Sequence, residues 1–331
     1  MKLGLGLALL AGLALTVGLI AYQGAGEVFG TLSTLGWGLL PLVLVHAAQL
    51  LFCALGWRPL IGRGTARPIF RLMRIRWIRE GTNGLLPLGH IGGEIIGARM
   101  LAFQGLSGDR AGASVVVDLT TEVATQLLFT LAGLALLTRA ELGGSGIAGL
   151  GLGLAGAAVL LAAFVVSQRL GVFKLIEKAL GRVAEKTRWL SLGGVKGLHE
   201  AIQTIHRNPL ALAESASWHL LAWVLGSLEV WLALHFMGVA IGWRDAFILE
   251  SLGQAARSAG FVVPGAVGIQ EGGYMLFGAM LGVPPEAGLA LSLAKRLREL
   301  IFGLPAVVHW QYVEGRRLFK KGPAAEPRAG E

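Results

Sequence analysis

Charge and cysteine are both scarce in this sequence of 331 residues. Charged residues make up 15% of the chain, against roughly 25% in soluble domains, and the mean hydropathy is +0.65. This composition indicates an integral membrane protein. Because one span needs about 20 apolar residues, the chain can hold seven or eight membrane elements in a single bundle. Cys53 is the only cysteine, so an internal disulfide is excluded.

Several chemical motifs are also missing. The sequence has no CxxC or HExxH pattern, so we expect no metal and no other cofactor. It has no GxxxxGK[ST] motif, so any substrate movement is expected to be passive or coupled to an ion gradient, with Glu94, Glu271 and Asp118 as candidate proton carriers. No serine, histidine and acid constellation stands out, and we do not expect an enzyme.

The positive charge is concentrated in segments that flank the apolar runs. Residues 58–79 contain seven arginines, Arg76 and Arg79 among them, and no acid, and residues 168–209 form a second basic stretch. The positive-inside rule assigns both segments to the cytoplasm, and the basic residues near the two ends place both termini there too. The expected partner of the net charge of +9 is the anionic leaflet of a bacterial inner membrane, not nucleic acid.

Two similar stretches carry most of the remaining information. PLGHIGGE at 87–94 and PGAVGIQE at 264–271 each begin with proline, contain glycines and end on a glutamate. Aligning them without a gap also pairs Asp118 with Lys295 and Glu122 with Glu299. This pattern predicts an internal repeat, and counting the spans between the two copies gives them opposite orientations in the membrane.

We therefore predict an all-α, polytopic helical bundle with two inverted repeats, each with a re-entrant hairpin broken by glycine and proline. The alternative is that both stretches are turns at the membrane surface between ordinary spans. The predicted divisions of one membrane domain, 1–331, are a first helix and outer loop (1–35), repeat 1 (36–138), a linking helix and basic cytoplasmic loop (139–209), repeat 2 (210–314) and a cytoplasmic tail (315–331).

Ionisable residues inside apolar runs predict a buried charge network. A charge at the bilayer centre costs at least ~2.5–3.5 kcal/mol, so these side chains should face the bundle interior and pair. We expect ion pairs across the repeat interface, joining Asp118 to Lys295 or Arg298, and Glu94 or Glu271 to Arg298 or Arg296. A purely structural network is the alternative. The predicted network comprises Asp118, Glu122, Lys295, Arg296, Arg298 and Glu299, with Glu214, His219, Glu229, Glu250 and Arg257 as weaker candidates.

The stretches at 85–122 and 263–300 resemble two signatures of a flippase-like membrane family that includes the transmembrane region of lysylphosphatidylglycerol synthases. The resemblance covers residues 36–314, and the QEGG form of the second motif is most similar to a hopanoid-biosynthesis-associated branch. Ala266 departs from the family pattern, which usually has a second glycine there. The resemblance implies a substrate path or gate formed by Pro87, Gly89, Gly92, Gly93, Glu94, Pro264, Gly265, Gly268 and Glu271.

By this resemblance we expect a lipid flippase or transporter that moves a phospholipid, a polyprenyl-linked lipid or a hopanoid between leaflets. Glu94 and Glu271 would gate the path, while Lys295, Arg296 and Arg298 would attract an anionic head group. Asp118 and Glu122 would balance those cations. Two alternatives stay open. One is an accessory protein bound to lipid-biosynthesis enzymes, and the other is an enzyme that modifies lipid within the membrane. Lipid aminoacylation is not expected, since only a short charged tail follows Tyr312.

Overall fold

The structure, a computed structural model, describes residues 17–18, 21–22, 25–62, 68–85, 92–141, 197–260, 263 and 266–320. These residues form ten α-helices, one short 3-10 helix and no strand. The helices are α1 (Ala25–Thr34), α2 (Leu39–Ile61), α3 (Ile69–Leu85), α4 (Gly92–Ala102), α5 (Gly108–Glu141), α6 (Leu198–His206), α7 (Pro209–Phe236), α8 (Trp243–Ala259), α9 (Ile269–Met280) and α10 (Pro285–Lys320).

The prediction of an all-α membrane bundle is confirmed. Among the described helices, three segments are long and apolar enough to cross a membrane, namely Gly36–Ile61, Gly108–Thr138 and Pro209–Phe236. α10 is longer still, but its charged residues lower its hydropathy. Most of the predicted first helix (3–22) and of the predicted linking region (139–209) lies outside the described residues.

The sequence repeat is also a repeat of secondary structure. Two sets of four helices, α2–α5 and α7–α10, follow the same order. The offset that aligns Pro87 with Pro264 also places the first residue of α4, Gly92, on the first residue of α9, Ile269. The same offset takes the start of α5 to the start of α10. The inversion of the two copies relative to the membrane stays a prediction.

The packing between the two sets is reciprocal. α2 packs along α7, its counterpart, whereas α3 packs against α10 and α8 packs against α5. A two-fold relation between the halves produces this exchange of partners. Each half also has its own apolar core, around Trp57 and Ile78 in the first and around Leu249 and Leu291 in the second. The two halves therefore meet through paired, equivalent contacts.

α3 and α4 form one hairpin, and α8 and α9 form another. α3 packs on α4 as α8 packs on α9, and in each pair the second helix has only 11 or 12 residues. Because a full span takes about 20 residues, the second helix of each pair is shorter than a span, and re-entry of the two pairs into the membrane stays a prediction. The depth of the hairpins in the bilayer stays a prediction.

Glycines permit the closest helix crossings between the halves. A Cβ on Gly81 of α3 would lie 2.7 Å from the Cβ of Ala306 on α10. At the reciprocal crossing, a Cβ on Gly133 of α5 would lie 1.7 Å from Oγ of Ser251 on α8. Small residues allow membrane helices to approach in this way, since backbone contact replaces side-chain bulk. Both crossings therefore depend on glycine.

We predict that Gly81→Ala lowers the free energy of unfolding by about 1–3 kcal/mol, because the added methyl group overpacks the crossing of α3 and α10. Gly84→Ala on the same helix is the matched control, since a Cβ there meets no atom within 4 Å. Thermal unfolding of both variants in detergent measures the difference. Equal unfolding midpoints would show that the crossing is not tightly packed.

Candidate functional site

A cavity of about 420 Å³ lies where the two halves meet. Its walls come from α2, α3 and α5 of the first half and from α7, α8 and α10 of the second, and Glu94 of α4 also reaches it. The lining combines apolar side chains such as Leu50 and Phe302 with many charged ones. The charged lining residues are Arg76, Arg79, Glu80, Glu94, Glu122, Glu229, Glu250, Arg257, Arg298 and Glu299.

Two arginines of α3 organise the side of the cavity formed by the first half. Arg76 donates to Asp118 at 2.9 Å and to Glu122 at 2.6 Å. Arg79 donates to the same oxygen of Asp118 at 2.8 Å and also binds Glu94. Asp118 is fully buried and thus accepts from both guanidinium groups. Two cations and three carboxylates form this cluster.

Arg76 and Arg79 belong to the basic segment predicted to be cytoplasmic, and that location stays a prediction. Both are buried, whereas Arg71 and Arg74 of the same helix are exposed. The helical repeat explains the division, because residues three apart share a face while Arg74 lies on another. The sequence contained a signal for this burial, because Arg76 and Arg79 lie four and seven residues after Leu72 and so share its helical face.

Three carboxylates and three cations balance each other on the second side. Lys295 donates to Glu250 at 2.8 Å, and the same carboxylate oxygen accepts from Tyr274 at 2.8 Å. Arg298 donates to Glu229 at 2.8 Å. Arg257 binds Glu299 and donates to Gln270 at 2.9 Å. The weaker candidates Glu229, Glu250 and Arg257 are therefore full members of the network.

The two motif glutamates lie at the starts of the helices that follow the breaks. Glu271 is fully buried, accepts from the backbone N–H of Gly268 at 2.7 Å and binds Arg296. It does not line the cavity. Glu94 accepts from the Asn83 side-chain amide at 3.0 Å, and Oδ1 of Asn83 accepts from the backbone N–H of Gly93 at 2.8 Å. Glu271 thus caps the start of α9, whereas at the start of α4 the accepting side chain is Asn83, and Glu94 binds Asn83 and faces the cavity.

Backbone geometry explains why glycine is found at the described motif positions. A Cβ on Gly93 would lie 2.3 Å from the carbonyl oxygen of Arg79, and Gly268 has a φ of +83°. Ala266 also has a positive φ, 49°, which explains why glycine suits this position. Gly92 is the first residue of α4. Pro87, Gly89, Pro264 and Gly265 lie outside the described residues.

The predicted network is present, but most of its partners differ from the prediction. Asp118 does not pair with Lys295, because each has a partner of opposite charge in its own half. Glu94 binds Arg79 instead of Arg296 or Arg298. The predicted pair of Glu271 and Arg296 is present, but it lies within the second repeat.

Around the cavity, two histidines make the charged contacts that cross between the described halves. His46 of α2 lies 2.7 Å from Arg298 of α10. His219 of α7 lies 3.0 Å from Asp118 of α5. His46 was missed because a single histidine within an apolar run carries no pattern of its own. His219 was noted only as a weak candidate.

Carboxylates outnumber cations in the cavity wall. The described lining residues include six glutamates and four arginines. Asp118 and Lys295, which lie just behind the wall, add one charge of each sign. Two carboxylates are therefore left without an arginine or lysine of their own.

Two repeated sets of four helices around a charged cavity define an α-helical membrane protein whose candidate site lies between its halves. The chain belongs to the family of the lysylphosphatidylglycerol synthase transmembrane region, which matches residues 9–306. No curated protein and no solved structure gives a significant match to the chain. The affinity to the hopanoid-associated branch stays a prediction.

We predict that Arg79→Gln lowers the free energy of unfolding by about 3–5 kcal/mol, because it leaves Glu94 without its cation and the buried Asp118 with one of its two. Arg74→Gln is the control on the same helix, and as an exposed change it should stay within about 0.5 kcal/mol of the unmodified protein. Thermal or denaturant unfolding in detergent compares the two. Similar stabilities would mean that the cluster around Asp118 does not hold α3 in place.

Proposed function

We propose that the protein moves a lipid between the leaflets of a bacterial inner membrane, with the polar head group passing through the cavity between the repeats. One observation carries this proposal, namely a cavity of about 420 Å³ whose charged lining comes from both halves. Each charge inside a membrane is costly, so such a concentration marks a substrate or ion path by default. Membership in a lipid-related membrane family supports the same class of function.

The size of the cavity suits a head group and not a whole lipid. Sites for small molecules occupy roughly 300–1,000 Å³, and a cavity of about 420 Å³ lies at the lower end of that range. Two acyl chains do not fit in the same space as a head group. The tails would therefore stay in the bilayer while the head group crosses.

The reciprocal crossings offer a route for access from both leaflets. α3 against α10 and α8 against α5 are equivalent contacts in the two halves. If the repeats are inverted, these crossings face opposite sides of the membrane. Opening one crossing while the other stays closed would expose the cavity to one leaflet at a time, as in other transporters built from inverted repeats.

The pairing of the cations changes the expected head group. Lys295 binds Glu250, Arg296 binds Glu271 and Arg298 binds Glu229. These cations have no spare charge for a phosphate, and the cavity wall has an excess of carboxylates. We therefore propose that a neutral or amine-bearing head group is preferred to an anionic one.

The two other functions make different predictions. An accessory protein of lipid biosynthesis would keep this fold but would not depend on an open cavity. A lipid-modifying enzyme would change the chemical structure of the lipid as well as its leaflet. Leaflet exchange in proteoliposomes, followed by chemical analysis of the recovered lipid, separates the three functions.

We predict that filling the cavity stops exchange. Cys53 is half-buried, lines the cavity and is the only cysteine, so a bulky thiol reagent is directed to one position. Exchange of a labelled lipid should fall to the rate of protein-free vesicles once Cys53 is modified. The Cys53→Ser variant should exchange lipid at the same rate with and without the reagent. Fully modified protein that still exchanges lipid would rule out the cavity as the path.

We also predict a charge preference. Proteoliposomes with labelled lipids of matched tails should exchange an amine-bearing or uncharged head group faster than an anionic one, because the cavity already has more carboxylates than cations. Protein-free vesicles with the same lipids provide the background rates. Faster exchange of the anionic lipid would contradict the charge argument, and no exchange of any lipid would favour the accessory role.

A further inference from the structure

His46 is a buried histidine with polar contacts to side chains of three helices. It is buried on α2 and contacts groups from three elements around the cavity. Its Nε2 lies 2.8 Å from Oε1 of Glu80 on α3. Its Nδ1 lies 2.7 Å from Nη1 of Arg298 on α10 and 3.2 Å from Oε1 of Gln49 on α2. The ring of Phe302 is edge-on to the imidazole at 4.8 Å, and Glu229 of α7 accepts from the same Nη1.

These contacts determine which nitrogen of His46 carries the proton. An arginine is always a donor, so Nδ1 must accept from Arg298. The imidazole is therefore neutral, with its hydrogen on Nε2, where it is donated to Glu80. In this arrangement the imidazole links α2 of the first repeat to α10 of the second.

A second proton on His46 would exchange one partner for another. It would place an N–H on Nδ1, facing the Arg298 donor at 2.7 Å, and two donors cannot share that contact. Oε1 of Gln49 is an acceptor already 3.2 Å from the same nitrogen. The Gln49 amide is held in this orientation because its Nε2 donates to the carbonyl of Ala222 at 3.2 Å. Protonation would therefore move the His46 contact from α10 to its own helix.

Arg298 has other partners ready when it leaves His46. Glu229 already accepts from it at 2.8 Å, and Glu299 lies 3.5 Å away. All three residues belong to the second half. The polar link between the halves at this point would break without leaving an unpaired arginine.

The charge count also directs a proton to this place. Arg76 and Arg79 hold Asp118, Glu94 and Glu122, while the three cations of the second side hold three glutamates. Glu80 differs from these carboxylates, because its partner among the described ion pairs is a histidine, His46. A proton on His46 would neutralise this remaining carboxylate.

The second histidine and acid pair is less suited to exchange. His219 and Asp118 are both fully buried, and Asp118 is also held by two arginines. The side chain of Glu80, by contrast, is 41% exposed and lines the cavity. His46 itself also lines the cavity, so a proton can reach its ring from water there, and the Glu80 carboxylate beside it would stabilise the protonated imidazole.

We propose that His46 and Glu80 form a proton-binding site through which a proton gradient drives lipid movement. The proposal rests on the proposed lipid transport for its functional half, whereas proton binding itself is independent of transport. In each cycle, Nδ1 of His46 takes up a proton from the cavity while Nε2–H stays donated to Glu80, Arg298 turns to its glutamates, and the contact between α2 and α10 opens. Loss of the proton restores the arrangement seen here.

The proton-dependent opening can be measured without any transport. Cys53 lines the same cavity, so its rate of modification by a small methanethiosulfonate reagent reports access to the cavity. Rates are divided by those of a free thiol at the same pH. We expect several-fold faster modification as the pH falls from about 8 to about 5, across the range in which histidine titrates.

Variants identify the group responsible. His46→Gln should make the normalised rate independent of pH. Gln49→Met removes the acceptor that the protonated ring needs and should shift the rise to lower pH. His309→Gln is the matched control, since His309 is a second histidine that stacks on Trp77 at 6.0 Å and its change should leave the pH profile intact. A flat profile in the unmodified protein, or an unchanged profile in both His46→Gln and Gln49→Met, would overturn the proposal.

Leaflet exchange with and without an imposed pH gradient tests the coupling. The unmodified protein should exchange lipid several-fold faster with a gradient than without one, and His46→Gln should show the same rate under both conditions. Exchange that ignores the gradient in the unmodified protein would overturn the coupling and leave lipid transport in place. If no lipid is exchanged under any condition, the proposed function fails, while the Cys53 profile still decides whether the proton site exists.

Discussion

The cost of placing charge in a hydrophobic bundle is the constraint on which the rest of this structure depends. Arg76 and Arg79 are buried among apolar helices and are tolerable there only because Asp118 lies between them. That pairing fixes the position of α3 relative to α5. Removing one partner of a buried pair leaves an uncompensated charge, so the interactions within a cluster are interdependent. Each half of the protein neutralises its buried charges with its own set of ion pairs.

The two halves share a backbone plan but have different charges. The offset that aligns the helices also aligns Glu80 with Arg257 and Asp118 with Lys295, so two positions have exchanged sign. Asp118 and Lys295 could attract each other across a symmetric interface. Instead, Asp118 binds Arg76 and Lys295 binds Glu250, each within its own half. The repeat is therefore maintained by helix breaks and glycine contacts, whereas the charges have diverged.

Sequence reasoning predicted the helical class, the position of both breaks and most members of the charge network. These features follow from local patterns, since a glycine interrupts a helix and a charge inside an apolar run needs a partner wherever that run packs. The partners could not be predicted in the same way. Helical spacing shows which residues share a face, but Asp118 could face α3 or α10 with the same spacing. Arg79 was hidden in a basic run, because the positive-inside rule counts arginines without regard to the face on which they lie.

The contacts between the halves differ in kind from the contacts within them. Within a half, arginine and lysine bind carboxylates, and such pairs persist over the whole physiological pH range because neither partner titrates there. Around the cavity, the described charged contacts that join the halves pass through His46 and His219. A histidine changes charge under mild conditions and can accept or donate at the same nitrogen. Arg99 of α4 and Glu314 of α10 form an arginine–carboxylate pair that also joins the halves, away from the cavity lining. Around the cavity, by contrast, the charged contacts between the halves involve groups whose bonding a single proton can reverse. In the proposed transport, these reversible contacts are the ones that would open and close, while the pairs within each half stay intact.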